Sequence, residues 1–514
     1  MKTIRLENFR SLGDTDHIEV KPITLLLGQN SSGKSTFLRS FALLKQGVSV
    51  RAREPFLWVG ELVDFGGVND TLSNFADTDR LSLTYRFEVS RQVRILKRRF
   101  TKEEGVADVS VSISERANSK VGEGAFEYTV IIDAERFDFS ITREGEVSHF
   151  SINKVDYTSL MAHMSVRHWR GPVPVFSLKT SSDALKALKD GEEIENTFVS
   201  ELQKFVRARS HGRTGEQKRN DFASWLTIVP LASLAMAKSP YRGDSFWHKN
   251  TLDWTKRHPD YRSFHNLVLG CRFLDFMHVV SEYSATVLEQ SKYITPLRAS
   301  AERYYRKQGL AVDELDAQGR NFALFLNNMS KGDQEDFSSW CESYFKVGIE
   351  VLESGGHLSV FISLPGEDAR VRVNIADTGF GFSQMFPILA QLWAARKSAE
   401  VGQGVFPVIF SIEQPELHLH PKLQANLADV FVNSVKAAKD AGIELKLVIE
   451  THSEYLVNRL GYLIAKQRMD SADAAVLIFD RMSHTSGTEI THARFHPKGF
   501  LENWPHGFFE PVAL

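Results

Sequence analysis

Thiols are scarce in this chain: Cys271 and Cys341 are the two cysteines in 514 residues. They stand far apart with no C-x-x-C spacing, which excludes a disulfide framework and a thiolate zinc site and fits a reducing compartment. An excess of one charge is also missing. Lys and Arg total 62 against 64 Asp and Glu, a formal net charge of −2, so any nucleic-acid contact has to be a local patch. No apolar run approaches the roughly 20 residues that span a bilayer. The opening MKTIRLENFR is charged every few residues, unlike a secretory leader. Heptads are not sustained, and internal repeats and low-complexity tracts are absent. What remains is ample apolar material, 42% of the residues with 11% aromatic, in a length with room for roughly two to four domains. These bounds predict a soluble, cytoplasmic protein with a sizeable core and no membrane partner.

Period-two and 3.6-residue patterns then divide the chain. Residues 3–9 alternate apolar and polar, and ITLLL (23–27) is a continuous apolar run, the mark of a strand buried on both faces. From about 81 to 154 the runs LSLTYRFEV, VSVSIS, FEYTVIID and FDFSIT alternate strictly, predicting an antiparallel β region. The texture between 176 and 345 is mainly helical. After 347, strand-like runs (LSVFISL, VRVNIA, VFPVIFSIE, LKLVIETHS) alternate with helical ones, predicting a parallel or mixed sheet. The expected layout is an α/β lobe over 1–175 that includes the antiparallel region, a helical insert over 176–345, and a second α/β lobe over 346–514.

Between the buried strand and the helix TFLRSFALLKQ lies GQNSSGKS, Gly28–Ser35, a full match to G-x-x-x-x-G-K-[ST]. Glycines there let backbone N–H groups and a helix N-terminus approach phosphates. Gly28, Gln29, Asn30, Ser31, Ser32 and Gly33 form the cradle, Lys34 reaches the β- and γ-phosphates, and Thr36 adds a contact at the α-phosphate. The Ser35 hydroxyl is a Mg²⁺ ligand. A chance Gly-rich turn seldom falls in this strand-to-helix context, so ATP with Mg²⁺ is the expected ligand pair.

Three further features lie far along the chain. Glu413 ends the strand VIFSIE, where a carboxylate holds magnesium. His452 follows the strand LVIE at the same expected sheet edge, within reach of a γ-phosphate or an attacking water. DTGFGFSQM (Asp377–Met385) places glycines and Ser383 before an apolar helix, a second anion-binding helix start. Each has a bland alternative: a structural histidine, a tight turn with a cap, a satisfied buried acid. His418 and His420 read equally well as packing residues.

In this order the segments resemble the ABC-type ATPase heads of the SMC/RecF/OLD class. Gly28–Ser35 corresponds to Walker A, GFGFSQ with Gly381, Ser383 and Gln384 to a divergent signature, VIFSIE to Walker B, LHLHP to the D-loop and His452 to the switch histidine. More narrowly, YITPLRASAERYY (Tyr293–Tyr305), IEQPELHLHPKLQANLADVF, ETHSEYLVNRL and WPHGFFE resemble a bacterial ATPase subfamily of anti-phage loci related to PtuA and AriA. The likeness covers about the first 70 and the last 220 residues and little of the middle. It implies homodimers or higher homo-oligomers that sandwich ATP between heads, with Ser383 of one facing the nucleotide of the other. It also implies control of a separate effector, a nuclease or toxin. About 60 residues follow His452, too few for the Toprim nuclease of the OLD proteins, so intrinsic cleavage is not expected.

The same resemblance puts Gln414 where the class keeps its catalytic glutamate. An amide cannot take a proton but can hold a water in line. Three readings stay open: slow hydrolysis with Gln414 and His452 orienting water, Glu416 acting as base, or a residue altered to hold the ATP-bound dimer. The first is favoured. For DNA, Lys204–Asn220 carries seven Lys, Arg or His residues and one acid, and Arg94–Lys102 is a second basic run. Solvated surface explains either as well. An SMC/RecF-like role in DNA repair is the alternative to effector control.

Overall fold

The computed structural model describes residues 1–90, 106–120, 122–178, 197–228, 245–312, 314–364, 371–400, 406–481 and 487–503. Its centre is a sheet of seven strands in the order Lys292–Ile294, Val408–Glu413, Leu445–Glu450, Ile23–Gly28, Ala474–Asp480, Glu489–Phe495 and Leu501–Glu502. The first five run parallel and the last two antiparallel. Alternate side chains of the parallel strands enter opposite cores: Leu26, Ile409, Val448 and Leu477 enter one. Leu25, Phe410, Leu447 and Val476 enter the other. Burial on both faces is why these strands read as unbroken apolar runs.

The period-two region forms the expected antiparallel sheet. Nine strands spanning Thr3–Phe9 to Val155–Asp156 pair with tight register, Leu83 opposite Ile113 and Tyr128 opposite Phe139. A four-stranded antiparallel sheet (Tyr305–Arg306, Gly348–Ser354, His357–Leu364 and Val371–Asn374) carries the helices Phe322–Asn328 and Lys331–Phe345.

The middle of the chain departs from a simple insert. Helices Thr197–Arg209, Glu216–Ile228, Ser245–Thr251 and Pro259–Gln290 do occupy it. Yet Pro259–Gln290 is bound into the antiparallel lobe. Phe273 packs against Phe137, Phe139, Phe150 and Phe176, and Tyr283 donates to the Glu88 carbonyl at 2.8 Å. Gly270 is required at the crossing with the helix Thr197–Arg209, because a Cβ would lie 2.1 Å from the Phe198 ring. Then Lys292–Ile294 joins the central sheet beside Val408–Glu413. The chain is therefore back in the central fold some fifty residues before the expected boundary at 346. A three-residue strand is too short to show a period in the sequence. Among the described residues no helix is long and apolar enough to cross a membrane.

Candidate functional site

The parallel strands end together. Glu413 pairs with Glu450 and Glu450 with Leu26, so the chain leaves three adjacent strands at one edge of the sheet. There the segment after Ile23–Gly28 turns into the helix Lys34–Gln46. Gly28 sits at φ 145°, where a Cβ would lie 2.2 Å from the Phe479 carbonyl; Gly33 caps the helix at φ 97°, where a Cβ would press on Ser11 and Leu12. Thr488 ties the turn from outside by donating to the Ser32 carbonyl at 2.8 Å. Lys34 is buried and donates to the carbonyls of Gly28 (3.0 Å) and Gln29 (2.6 Å). Burial pulls its pKa down, and nearby Glu450 works against that. A cleft of about 950 Å³ opens over this turn, lined by Asn30 through Thr36 and by Arg10, Asn69, Phe75, Gln414 and Glu450.

The carboxylate beside Ser35 is not the one the sequence suggested. Glu450, 3% exposed, takes the Ser35 hydroxyl at 2.7 and 3.0 Å and lines the cleft. Burial, above all, pushes its pKa up. Glu413 lies one strand further out. It accepts Arg39 Nε and Nη2 at 2.7 and 2.8 Å and the Tyr293 hydroxyl at 2.6 Å, and burial with the nearby Glu413 charge raises the Tyr293 pKa. A hydroxyl and a carboxylate side by side are the hard oxygen donors that Mg²⁺ prefers, so Ser35 and Glu450 fit that ion. Glu413 is engaged by Arg39 and Tyr293 and does not line the cleft. In the sequence the pointer to Glu450 is the acid that closes the strand LKLVIE, two residues before His452.

Gln414 does face the cleft. Its φ of 42° turns it out of the strand while its N–H still donates to the Glu450 carbonyl at 2.8 Å. Glu416 is buried elsewhere in this turn. One oxygen accepts the His452 N–H at 2.7 Å and burial raises its pKa, but it does not line the cleft. His452 is exposed and does not line the cleft; partial loss of water around its ring, and then the Lys34 charge, lower its pKa, which favours the neutral imidazole.

The signature segment is placed apart from the cleft of its own chain. Ser383 is 7% exposed, bonds back to the Phe380 carbonyl at 2.9 Å, and borders a separate cavity of about 370 Å³. Gly381 lies against the His418 carbonyl, where a Cβ would come within 3.1 Å. Gln384, expected to touch nucleotide, faces inward and binds the Arg298 backbone on both sides. The outward group at this helix start is Phe380, 58% exposed, whose ring lies 5.7 Å from that of His418. His420 serves as the cap of the helix Pro421–Asp440.

A glycine cradle at the end of a central parallel strand, with an inward lysine and a serine–carboxylate pair, settles the architecture. The fold is that of a P-loop ATPase domain. The family models agree on an ATPase domain. A family model described as an AAA domain matches residues 3–222 of the head, and one described as an AAA ATPase domain matches residues 286–457. The DNA replication and repair protein RecF of Gloeobacter violaceus is 30% identical over 95 residues, covering 18% of this chain and 25% of that relative. The matched stretch thus spans about a quarter of the relative's length. Among solved structures, the Smc head bound to the C-winged helix domain of ScpA covers 96% of this chain and 97% of that one at TM-score 0.36 and 11% identity. A Smc head with an extended coiled coil, bound to the C-terminal domain of ScpA from Pyrococcus furiosus, covers 96% and 95% at TM-score 0.34 and 11% identity.

The basic runs divide. Within Lys204–Asn220, Lys204 pairs with Glu201 at 2.8 Å, Arg209 pairs with Asp260 at 2.9 Å and stacks on Phe205, and Arg219 donates to the His211 carbonyl at 2.9 Å. Much of that charge is engaged within the head. Arg94–Lys102 and Trp504–Glu510 lie outside the described residues.

Proposed function

We propose that this chain binds Mg²⁺–ATP at Gly28–Thr36, pairs head to head with a second copy, and hydrolyses ATP slowly, so that nucleotide occupancy acts as a switch. One observation carries the reading: Lys34, Ser35, Glu450 and Gln414 converge on a single cleft over the glycine turn. Backbone N–H groups of the turn and Lys34 take the phosphate charge. Ser35 and Glu450 would hold Mg²⁺, which would supply positive charge against the phosphates. Gln414 orients the attacking water by its amide. The general base contributes roughly 10²–10⁴ in rate where present, so an amide in its place predicts slow turnover. Glu416, out of the cleft and bonded to His452 N–H, is a poor candidate for that base.

For the biological output we assign ATP-gated control of a separate effector, a nuclease or toxin, in bacterial anti-phage defence. Support comes from the motif set IEQPELHLHP, ETHSEYLVNRL and YITPLRASAERYY. An SMC/RecF-like role in DNA repair is the second reading, favoured by the short RecF match. Mass spectrometry of proteins co-purifying with the products of neighbouring genes, set against ATP-dependent binding to gapped DNA, separates the two. The hydrolytic reading is tested by Gln414→Glu, which should raise kcat about tenfold or more by supplying a base. A flat or lower rate would remove Gln414 from that role.

A further inference from the structure

We propose that Arg298 is the positioning residue for Gln414, joining the start of the helix Phe380–Glu400 to the turn beside the cleft, so that a shift of that helix reaches the nucleotide site. The inference rests on Gln414 being the water-orienting group.

Arg298 is 5% exposed and lies just after the short strand Lys292–Ile294. Its guanidinium makes no hydrogen bond to a carboxylate among the described residues. Instead Nη1 donates to the carbonyls of Thr295 (3.1 Å) and Glu413 (3.3 Å), and Nη2 donates to that of Gln414 (3.1 Å). Those bonds meet the peptide units flanking a residue whose φ is already in the left-handed region. The Gln414 N–H is tied to Glu450 and its carbonyl to Arg298, so both sides of the residue are pinned while its side chain faces the cleft. Pro415 follows and supplies no N–H.

The other end of the link is a single side chain. Gln384, 4% exposed and one turn into the helix Phe380–Glu400, accepts the Arg298 N–H at 3.1 Å and donates to the Arg298 carbonyl at 3.0 Å. Movement of this helix must therefore carry the Arg298 backbone with it or break two buried hydrogen bonds. Arg298 also lies in the field of Glu416, whose carboxylate holds the His452 N–H. Burial nevertheless lowers the guanidinium pKa to about 10. A buried cation served by carbonyls is a poor way to gain stability when an apolar residue of similar volume would do. Its value here is geometric: the two coplanar Nη groups hold the successive Glu413 and Gln414 carbonyls together, a rigid fork that a lysine does not offer.

The test measures ATP affinity by calorimetry, and kcat and KM by phosphate release, for Arg298→Lys and Arg298→Ala, each alone and combined with Gln414→Ala. Expected are affinity and KM within about threefold of the parent and kcat lowered roughly tenfold or more, since small misplacements of a reacting group are costly. Arg298→Lys should add no further loss to Gln414→Ala, and millimolar guanidinium, but not methylammonium, should restore turnover to Arg298→Ala. If the arginine variants do not fold, Gln384→Met decides, with a smaller fall in kcat that Gln414→Ala likewise masks. Full turnover in the Arg298 or Gln384 variants beside a damaged Gln414→Ala, or losses that multiply, overturns the link and leaves the role of Gln414 standing. An undamaged Gln414→Ala overturns the reading of the site, and the link falls with it.

Discussion

Glu450→Gln separates the two carboxylates that compete for the metal. In the structure Glu450 stands at 2.7 Å from the Ser35 hydroxyl, 3% exposed, whereas Glu413 is spent on Arg39 and Tyr293. A hydrogen bond or ligand contact involving a charged group contributes about 1.5–3 kcal/mol. Its loss weakens Mg²⁺-dependent ATP binding roughly ten- to hundredfold. In EDTA the sign reverses: removing a negative charge beside the phosphates leaves metal-free ATP binding equal or tighter. Glu413→Gln should behave oppositely, keeping the Mg²⁺ increment and losing stability. Its side chain is 2% exposed but that of Arg39 is 38% exposed. The 3–5 kcal/mol typical of breaking a fully buried pair therefore falls to about 1–3 kcal/mol. Calorimetric titration with and without Mg²⁺, beside urea unfolding of both variants, reads all four quantities. An Mg²⁺ increment that disappears in Glu413→Gln and survives in Glu450→Gln would refute the assignment.

Lys34→Ala removes the cation of the cradle and should abolish measurable ATP binding; unchanged affinity in the same titration would sink the phosphate-cradle reading. Phe380→Asp places a charge on the outward face of the signature helix start and should block ATP-dependent dimerisation while leaving monomer binding intact, as read by light scattering. Normal assembly of that variant would move the interface elsewhere. Glu115 is fully buried against Trp58, and burial pushes its pKa up to about 8 from 4.5. Between those values the folded chain holds a proton that the unfolded chain has released, so stability falls as pH rises through that window. Glu115→Gln should then melt higher than the parent at pH 9 and show a smaller gain at pH 5; parallel melting curves would contradict the burial argument.

How much was legible in the chain follows the range of each signal. The antiparallel region announced itself because one face of each strand meets a core and the other does not, a period written into every residue. Continuous apolar runs marked the central strands for the matching reason, burial on both faces. GQNSSGKS was readable because its chemistry needs backbone conformations that only certain residues at fixed spacing allow. Gln414 and Ser35 were readable as neighbours of the cleft in this way, each beside a strand end or helix start that its neighbours define, whereas His452 does not line it.

What the tertiary structure alone decided is which strand lies next to which. VFPVIFSIE and LKLVIETHS both end in a buried acid, and nothing local distinguishes them. Pairing puts Leu445–Glu450 directly beside Ile23–Gly28, with Val408–Glu413 one place beyond. Strands lie about 4.8 Å apart, so Glu450 reaches Ser35 and Glu413, some 10 Å away, meets Arg39 instead. Arg298 and Gln384 are hidden from sequence reading for the same reason. Their partners lie 116 and 86 residues away, and hydrogen bonds across such separations leave no period, spacing or composition behind in the chain.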